Sequence, residues 1–327
     1  MEREIVAGIS VIVPGSLNTD LIGSEVERIP GPGELTTGRA FIIGPGGKSR
    51  NIAQMAAGLL GSGCVAMLGR TVRDSYGLWK PPFYALKKAG VNTSYIRFSR
   101  KGFPGIALIP VDKKGRNQIY VLPGASSGFS AADVQAAGKI FKKARVMAMS
   151  LELPVKTAIA AIKKSNKNRL KVILDPGGIN EKADNSWILR QDIFMLKPNE
   201  HEARILTGIK ITGFKSAARA ANKLLKRKIA NVLITAGKNG AYFFNSGIKE
   251  HLLPPKIEGG KVFDETGCGD QVTAVLAAST AKGDDILCAC RLAVLAGTMQ
   301  FYRKGIQPVT AKELKKYDIR KGKNNAY

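Results

Sequence analysis

The second half of this chain alternates short apolar runs with helical patterns, and no other feature constrains its fold as strongly. Residues 145–149, 171–174, 193–196 and 232–235 are brief and apolar, and helical patterns at 155–164 and 216–226 fall among them. Two strands joined through a helix pair in parallel, because the helix supplies a crossover that a tight turn cannot. The expectation is an α/β fold: a three-layer, doubly wound, mostly parallel sheet with helices on both faces. Such sheets bind ligands beyond the C-terminal ends of their strands. Polar residues at those ends are the first candidates for a site.

A strand expected over residues 5–13 ends at Pro14-Gly15 and delivers Asn18 and Asp20, although Asn and Asp also favour plain turns. The strand at 145–149 runs on into Leu151-Glu152. Residues 44–61 begin as a Gly-rich turn and continue as a helix with Ile52, Met55, Ala56 and Leu59 on one face. Gly46 and Gly47 let backbone approach a ligand, while Lys48 and Asn51 offer donors. The densest stretch is Asp264-Glu265-Thr266-Gly267-Cys268-Gly269-Asp270, followed by the small apolar run 272–281. Small residues between acids, directly before a helix, bring backbone N–H groups together where orphan donors and the helix dipole favour an anion. Asp270, at the rim of such a site, is placed to accept a proton from a substrate hydroxyl. Taken alone, the stretch also reads as an Asp-capped helix after a turn.

Asp-x-Thr-Gly-x-Gly-Asp at 264–270 and Gly46-Gly47-Lys48-Ser49-Arg50-Asn51 together resemble the two signature segments of the ribokinase-like (PfkB) carbohydrate kinases. The pattern is closest to ribokinase and extends from Val6 to about Pro308. The resemblance implies transfer of the γ-phosphoryl of ATP to a hydroxyl of a small unphosphorylated sugar, ribose first. In that scheme Asp270 is the general base, and the N–H groups of Gly267, Cys268 and Gly269 form an anion hole. Asn18, Asp20, Gly46, Gly47, Lys48, Asn51, Glu152 and Asp270 would hold the sugar. Glu152 points to a neutral acceptor, since a carboxylate repels a sugar phosphate. The segment Lys197-Pro198-Asn199-Glu200-His201-Glu202 resembles the family's nucleotide-phosphate segment. Asn199 would lie near the phosphates, with Glu202 ordering water around Mg²⁺, an ion that keeps several of its waters. Thr235, Gly237, Gly240 and Gly269 complete the implied nucleotide set. Asp264, Thr266 and Gly305 match a monovalent-cation (K⁺) site, but Val309 stands where relatives supply a Ser hydroxyl, so the set is one ligand short.

Other departures from the family pattern leave alternatives open. Arg50 replaces a small or apolar residue and either faces solvent or enlarges an anion pocket, the second pointing to a phosphofructokinase-type acceptor. A nucleoside acceptor is a further alternative. The loop at 69–74 departs as well and has no assigned role. Residues 17–43 and 103–123 do not alternate with helices; the latter reads as a hairpin turning at Lys113-Lys114-Gly115. The resemblance makes these pieces a small β-sheet lid over the sugar, through which some family members form homodimers.

Composition narrows the rest. At 327 residues and 44% hydrophobic, the chain suffices for one domain over 1–327. No apolar run approaches the roughly 20 residues of a membrane span, and Met1-Glu2-Arg3-Glu4 lacks a signal-peptide pattern. Cys64, Cys268, Cys288 and Cys290 have no disulfide-scaffold spacing, which fits a reducing cytoplasm. His201 and His251 are too few for a Cys/His zinc site, and Cys288 and Cys290 read as helix packing. The 51 Lys+Arg against 25 Asp+Glu give a formal charge of +26, a surface that attracts nucleotides and other polyanions. In sequence the basic residues look scattered, as at Lys163-Lys164, Lys226-Arg227-Lys228, Lys315-Lys316 and the tail Arg320-Lys321-Gly322-Lys323. Without an aromatic-interleaved stripe they read as a solvated surface, and nucleic acid is not expected as a partner.

Overall fold

The computed structural model describes residues 8–257 and 264–317. The N-terminal four residues, the start of the strand expected at 5–13 and the basic tail at 320–323 lie outside the described residues. Strands follow in chain order as β1 (Val11–Pro14), β2 (Asn18–Val26), β3 (Ala40–Gly46), β4 (Val65–Val72), β5 (Asn92–Ser99), β6 (Gly105–Asp112) and β7 (Tyr120–Leu122). Then come β8 (Val146–Ser150), β9 (Lys171–Asp175), β10 (Ile193–Leu196), β11 (Ile229–Thr235), β12 (Ala241–Phe244) and β13 (Lys249–Leu252). The helices are α1 (Lys48–Leu60), α2 (Lys80–Lys88), α3 (Ala131–Ala136), α4 (Gly138–Phe141), α5 (Val155–Lys167) and α6 (Glu200–Thr207). The last four are α7 (Phe214–Leu225), α8 (Cys268–Lys282), α9 (Ile286–Phe301) and α10 (Ala311–Leu314).

The large sheet has nine strands in the order β13-β12-β11-β10-β9-β8-β1-β4-β5. Every neighbouring pair from β11 through β5 is parallel, and β12 alone runs against the rest, pairing antiparallel with both β11 and β13. Each residue of β1 and β8 is buried, as a strand covered on both faces requires. One core lies under α1, α2, α8 and α9, and the other under α3, α5, α6 and α7. This is the three-layer, mostly parallel fold that the alternation predicts. Helix α7 shows the cause plainly: Ala217, Ala220, Ala221 and Leu224 recur at helical spacing and are all fully buried. Helix α8 is different, buried at every position from Gln271 to Ala281, because its small residues let it pass between the sheet, α1 and α9.

The second sheet has the order β3-β2-β6-β7 and stands apart from the first. Strand β2 pairs antiparallel with β3 and parallel with β6, placing Asn18 against both Gly46 and Gly105. Thus β3 ends at the residue before the Gly47 cap of α1, so small sheet and helix join within one peptide bond. Two sequence expectations change here. Residues 69–72 are not loop but the last half of β4, held by parallel pairing with β5. Asp74 then accepts the N–H groups of Leu78 and Trp79, each at 3.0 Å, so its role is to shape the turn into α2. Among the described residues no helix is long and apolar enough to cross a membrane.

Candidate active site

Three chain turns converge at the C-terminal ends of β1, β8 and β9, beside the small sheet. Gly47 caps α1 with φ +90°, and a Cβ there would meet the Ser16 carbonyl at 3.0 Å and Asn18 N at 3.1 Å. That close approach lets Lys48 and Asn51 face the first turn of α8. Asn51 Nδ2 donates to Asp270 Oδ2 at 2.6 Å, and Lys48 Nζ lies 3.8 Å from Asp270 Oδ1. Asp270 is 4% exposed, and its Oδ1 accepts no hydrogen bond among the described residues; the buried carboxamide oxygens of Asn18 and Asn51 are equally free. The Lys48 ammonium is held charged chiefly by Asp270, against the cost of burial, with Asp175, Glu152 and Glu202 adding.

Glu152 joins the same group. Its Oε2 accepts from Ser16 Oγ and from the Lys48 backbone N–H at 2.9 Å. Asp20 projects from β2 against Gly46, where a Cβ would sit 1.8 Å from its Oδ1. Burial raises the Asp20 pKa to about 6; Arg50 opposes this and Glu152 adds to it. The eight residues expected at the sugar site are therefore together.

Arg50 corrects one expectation. It is fully buried, not solvent-facing, and its guanidinium donates to the carbonyls of Gly46 at 3.1 Å and Pro45 at 2.7 Å and to Gln54 Oε1. It fastens the end of β3 to α1. Burial lowers its pKa to about 10, with Asp20 and Asp270 opposing, so it stays charged at neutral pH.

The loop before α8 adopts the expected shape with one change. Gly267 caps the helix at φ +75°, and a Cβ on it would meet Ile306 Cδ1 at 2.5 Å. The N–H groups of Gly267 and Gly269 take no partner among the described residues, but Cys268 N–H donates to the Glu265 carbonyl at 3.2 Å. The loop thus offers two free N–H donors and one shared donor. Burial, then Asp264, Glu265 and Asp270, push the Cys268 thiol up to about 12, so it is a small neutral side chain rather than a nucleophile.

Beneath that turn lies a network the sequence reading did not single out. Lys197 Nζ contacts Asp175 Oδ2 at 2.6 Å and donates to the Gly269 carbonyl at 3.2 Å. Thr273 Oγ1 donates to Asp175 Oδ2 at 2.9 Å, and Gly177 N–H to Asp175 Oδ1 at 2.9 Å. Burial alone would raise the Asp175 pKa, but Lys197, Lys48 and the Gly177 N–H outweigh it and hold the carboxylate ionised. Asp175 sits at the end of a parallel strand, so the rule that found Asn18 and Asp20 would also have found it.

Asn199 and Glu202 form a capping box on α6: each side chain accepts the other's backbone N–H at 2.8 Å. The helix-cap and nucleotide readings therefore coincide at one place. Glu202 is 8% exposed; burial and Asp175 raise its pKa against Lys197 and the Asn199 N–H. Thr235 N–H donates to the Pro198 carbonyl at 2.9 Å, bringing the turn Gly237–Asn239 beside Asn199. A Cβ on Gly240 would sit 2.1 Å from the Leu252 carbonyl, which explains that glycine structurally. Glu202 is the carboxylate expected near a hydrated Mg²⁺, an ion that keeps several waters, and no group of three or more metal-ligating side chains occurs among the described residues.

Asp264, Thr266 and Gly305 also meet. Asp264 Oδ1 accepts Thr266 N–H at 2.8 Å and Oδ2 accepts Gly305 N–H at 2.7 Å. Val309 is fully buried and offers only its N–H, to Gln271 Oε1 at 3.0 Å.

Comparison with known proteins agrees with this geometry. Residues 9–312 match the pfkB family of carbohydrate kinases. A Mus musculus ribokinase is 30% identical over 270 residues, 82% of this chain and 80% of that protein. A Salmonella typhi deoxyribokinase is 29% identical over 297 residues, covering 91% and 94%. Arabidopsis thaliana ribokinase, solved with ribose and ATP, superposes with TM-score 0.81 at 28% identity over 94% of this chain and 98% of that one.

Proposed function

The chain belongs to the pfkB family of carbohydrate kinases and is a phosphotransferase with an alcohol group as acceptor; from that premise we propose that it transfers the γ-phosphoryl of ATP to a small unphosphorylated sugar, D-ribose first. The observation that carries the acceptor is the pairing of Asp270 with Asn51 beside three acceptor oxygens, on Asn18, Asn51 and Asp270, that are buried and accept no hydrogen bond among the described residues. Unpaired buried acceptors are costly, and sugar hydroxyls satisfy them. Asp20, Glu152 and Asp270 outnumber Lys48 around this pocket, and Arg50 is already spent on carbonyls, so a phosphorylated sugar meets repulsion.

In this reading Asp270 Oδ1 takes the proton of the attacking hydroxyl, with Asn51 orienting the carboxylate and the Lys48 ammonium 3.8 Å away. The Gly267 and Gly269 N–H groups, at the positive end of α8, face the charge on the transferred phosphoryl. The Asp175–Lys197 pair holds the Gly269 carbonyl and so fixes the first turn. Asn199, Glu202 and the Thr235 turn receive the nucleotide, and Mg²⁺ when bound shields its phosphates. Phe41, Ile42 and Ile43 are consecutive and all exposed, as are Tyr120, Val121 and Leu122, so the small sheet has apolar surface to cover both a sugar and a second copy of the chain. The cytoplasm is the compartment proposed for this reaction.

The test is ADP formation that depends on D-ribose, with light scattering to read the oligomeric state. Ribose-independent ATP hydrolysis, or no turnover with any sugar, would reject the reading.

A further inference from the structure

Gln300 closes the ring that Asp264 begins. It is fully buried on α9, and its Nε2 donates to the Thr266 carbonyl at 3.2 Å and to the Gly305 carbonyl at 2.6 Å. Those carbonyls, with the Asp264 carboxylate, are the donor set that the family resemblance assigned to a monovalent cation. A cation would have to sit where both carbonyls point. Here the Gln300 amide nitrogen occupies that place with its N–H groups, each Asp264 oxygen already accepts one N–H, Val309 brings no hydroxyl, and Gln300 Oε1 is buried without a partner among the described residues. The residues present do not fit the ion.

We propose that the Gln300 amide replaces the monovalent cation, acting as a positioning residue for the anion loop and making the enzyme independent of K⁺. The physical link is one peptide unit. The Thr266 carbonyl and the Gly267 N–H belong to the same plane and point in opposite directions. Holding the carbonyl therefore aims the N–H, one of the two free donors before α8. This rests on the reading of that loop as the phosphoryl site.

Two measurements test it. The melting temperature of the parent protein is compared in K⁺ and in tetramethylammonium, with no substrate present; the expected shift is nil. Initial rates are then compared in both salts for the parent, Gln300→Met and Gln300→Ala. The parent is expected to show equal kcat in both. Gln300→Met, which removes the donors at similar size, is expected to lose about 10-fold or more in kcat with the KM for sugar unchanged. Gln300→Ala, which frees both carbonyls, is expected to regain part of its kcat in K⁺ only. A parent stabilised and activated by K⁺, or a Gln300→Met variant with parental kcat, overturns the inference. A parent with no sugar-dependent turnover would instead overturn the functional reading.

A second surface stands on different observations. The strand starts opposite the active site carry Arg145 before β8, Lys171 on β9 and Lys228 before β11, all at one end of the same sheet. Lys171 N–H donates to the Arg145 carbonyl at 2.9 Å and Ile193 N–H to the Lys228 carbonyl at 2.8 Å, so the row is continuous. Lys142, Lys143, Lys167, Arg169, Lys226 and Arg227 flank it and are exposed, as are the three residues of the row. Between Val134 and Lys171 the only acid is Glu152, at the other end of the sheet; Asp192 is the one acid within the row. Asp284 and Asp285 follow α8, whose Ala281 carbonyl accepts from Arg145 at 3.1 Å, so these two acids border one edge. Basic residues at helix C-termini answer the dipole, but that accounts for only one or two per helix.

We infer that this end, whose cations only the fold brings together, binds the phosphate backbone of nucleic acid through charge alone and without reading its bases. Arg145 and Lys171 stand on neighbouring strands about 4.8 Å apart, and Lys228 lies two strands beyond Lys171 across the start of β10. No large apolar side chain is exposed from residue 123 through 154, or from 156 through 213, Phe194 being half-buried under Lys171 Nζ, so the face offers charge and no membrane wedge. The test is anisotropy of a short labelled poly(U) against KCl concentration. Lys226→Gln/Arg227→Gln/Lys228→Gln is expected to lower the salt slope by about 2, at about 0.7 per phosphate contact, with kcat unchanged. Lys101→Gln/Lys113→Gln/Lys114→Gln, exposed on the small-sheet side, is expected to leave the slope as it was. Equal losses in the two variants, or binding to phosphatidylserine vesicles without binding to poly(U), overturn it.

Discussion

Two polar regions meet at the first turn of α8, and they are built on opposite principles. Behind the turn, the Asp264, Thr266, Gly305 and Gln300 ring and the Asp175, Lys197 and Thr273 cluster pair with one another through short hydrogen bonds, and only Gln300 Oε1 among them is buried without a partner among the described residues. In front of it, Asn18, Asn51 and Asp270 keep buried acceptor oxygens that accept no hydrogen bond among the described residues. A satisfied network specifies one rigid geometry, whereas an unsatisfied one stores binding capacity at a cost in stability. The reaction proposed for this corner needs both, because a base at Asp270 would be useful only where the phosphoryl site does not move.

The comparison breaks most readily at Asp270. Asp270→Ala is expected to lower kcat by about 10²- to 10⁴-fold, the usual worth of a positioned general base, with ATP binding retained by calorimetry. At the Asp175–Lys197 pair behind the turn the loss should appear mainly as stability instead. Lys197→Met removes the buried ammonium that pairs with Asp175, and urea unfolding should show a loss of about 3–5 kcal/mol.

Asp20 sharpens the contrast through pH. Its carboxylate must be ionised to accept sugar hydroxyls, so the KM for sugar should rise as pH falls through about 6. The sign for stability is the reverse. A raised pKa means the folded chain holds the proton better than the unfolded one, so stability falls as pH rises from about 4 to about 6. Asp20→Asn should accordingly raise the melting temperature at neutral pH while raising the sugar KM about 10- to 100-fold. The smallest effect is expected at Asn199→Ala: about 1 kcal/mol of stability from the lost cap, with a higher KM for ATP and an unchanged KM for sugar.

The sequence showed the front region better than the back. Asn18, Asp20, Asn51 and Asp270 lie at strand ends and glycine turns, where local chemistry marks them. Gln300 sits inside an apolar helix and Lys197 inside a strand-to-helix segment, so their partners, 34 and 72 residues away along the chain, are set by folding alone. Arg50 was visible as a cation in the first turn of α1, but its reach back to Pro45 and Gly46 is a matter of side-chain path. The β12–β13 hairpin gave no alternation strong enough to read, and the basic row along β8, β9 and β11 is scattered in sequence because parallel strands bring distant segments side by side.

The central claim is that the front region takes a neutral sugar. Its most direct test is kcat/KM across D-ribose, 2-deoxy-D-ribose, fructose 6-phosphate and a nucleoside, each with ATP and with ADP as donor. D-ribose with ATP is expected to lead, because a site built to bond hydroxyls rejects analogues that lack one. A preference for fructose 6-phosphate that vanishes in Arg50→Ala would contradict the account and make Arg50 a phosphate anchor rather than a clamp on β3.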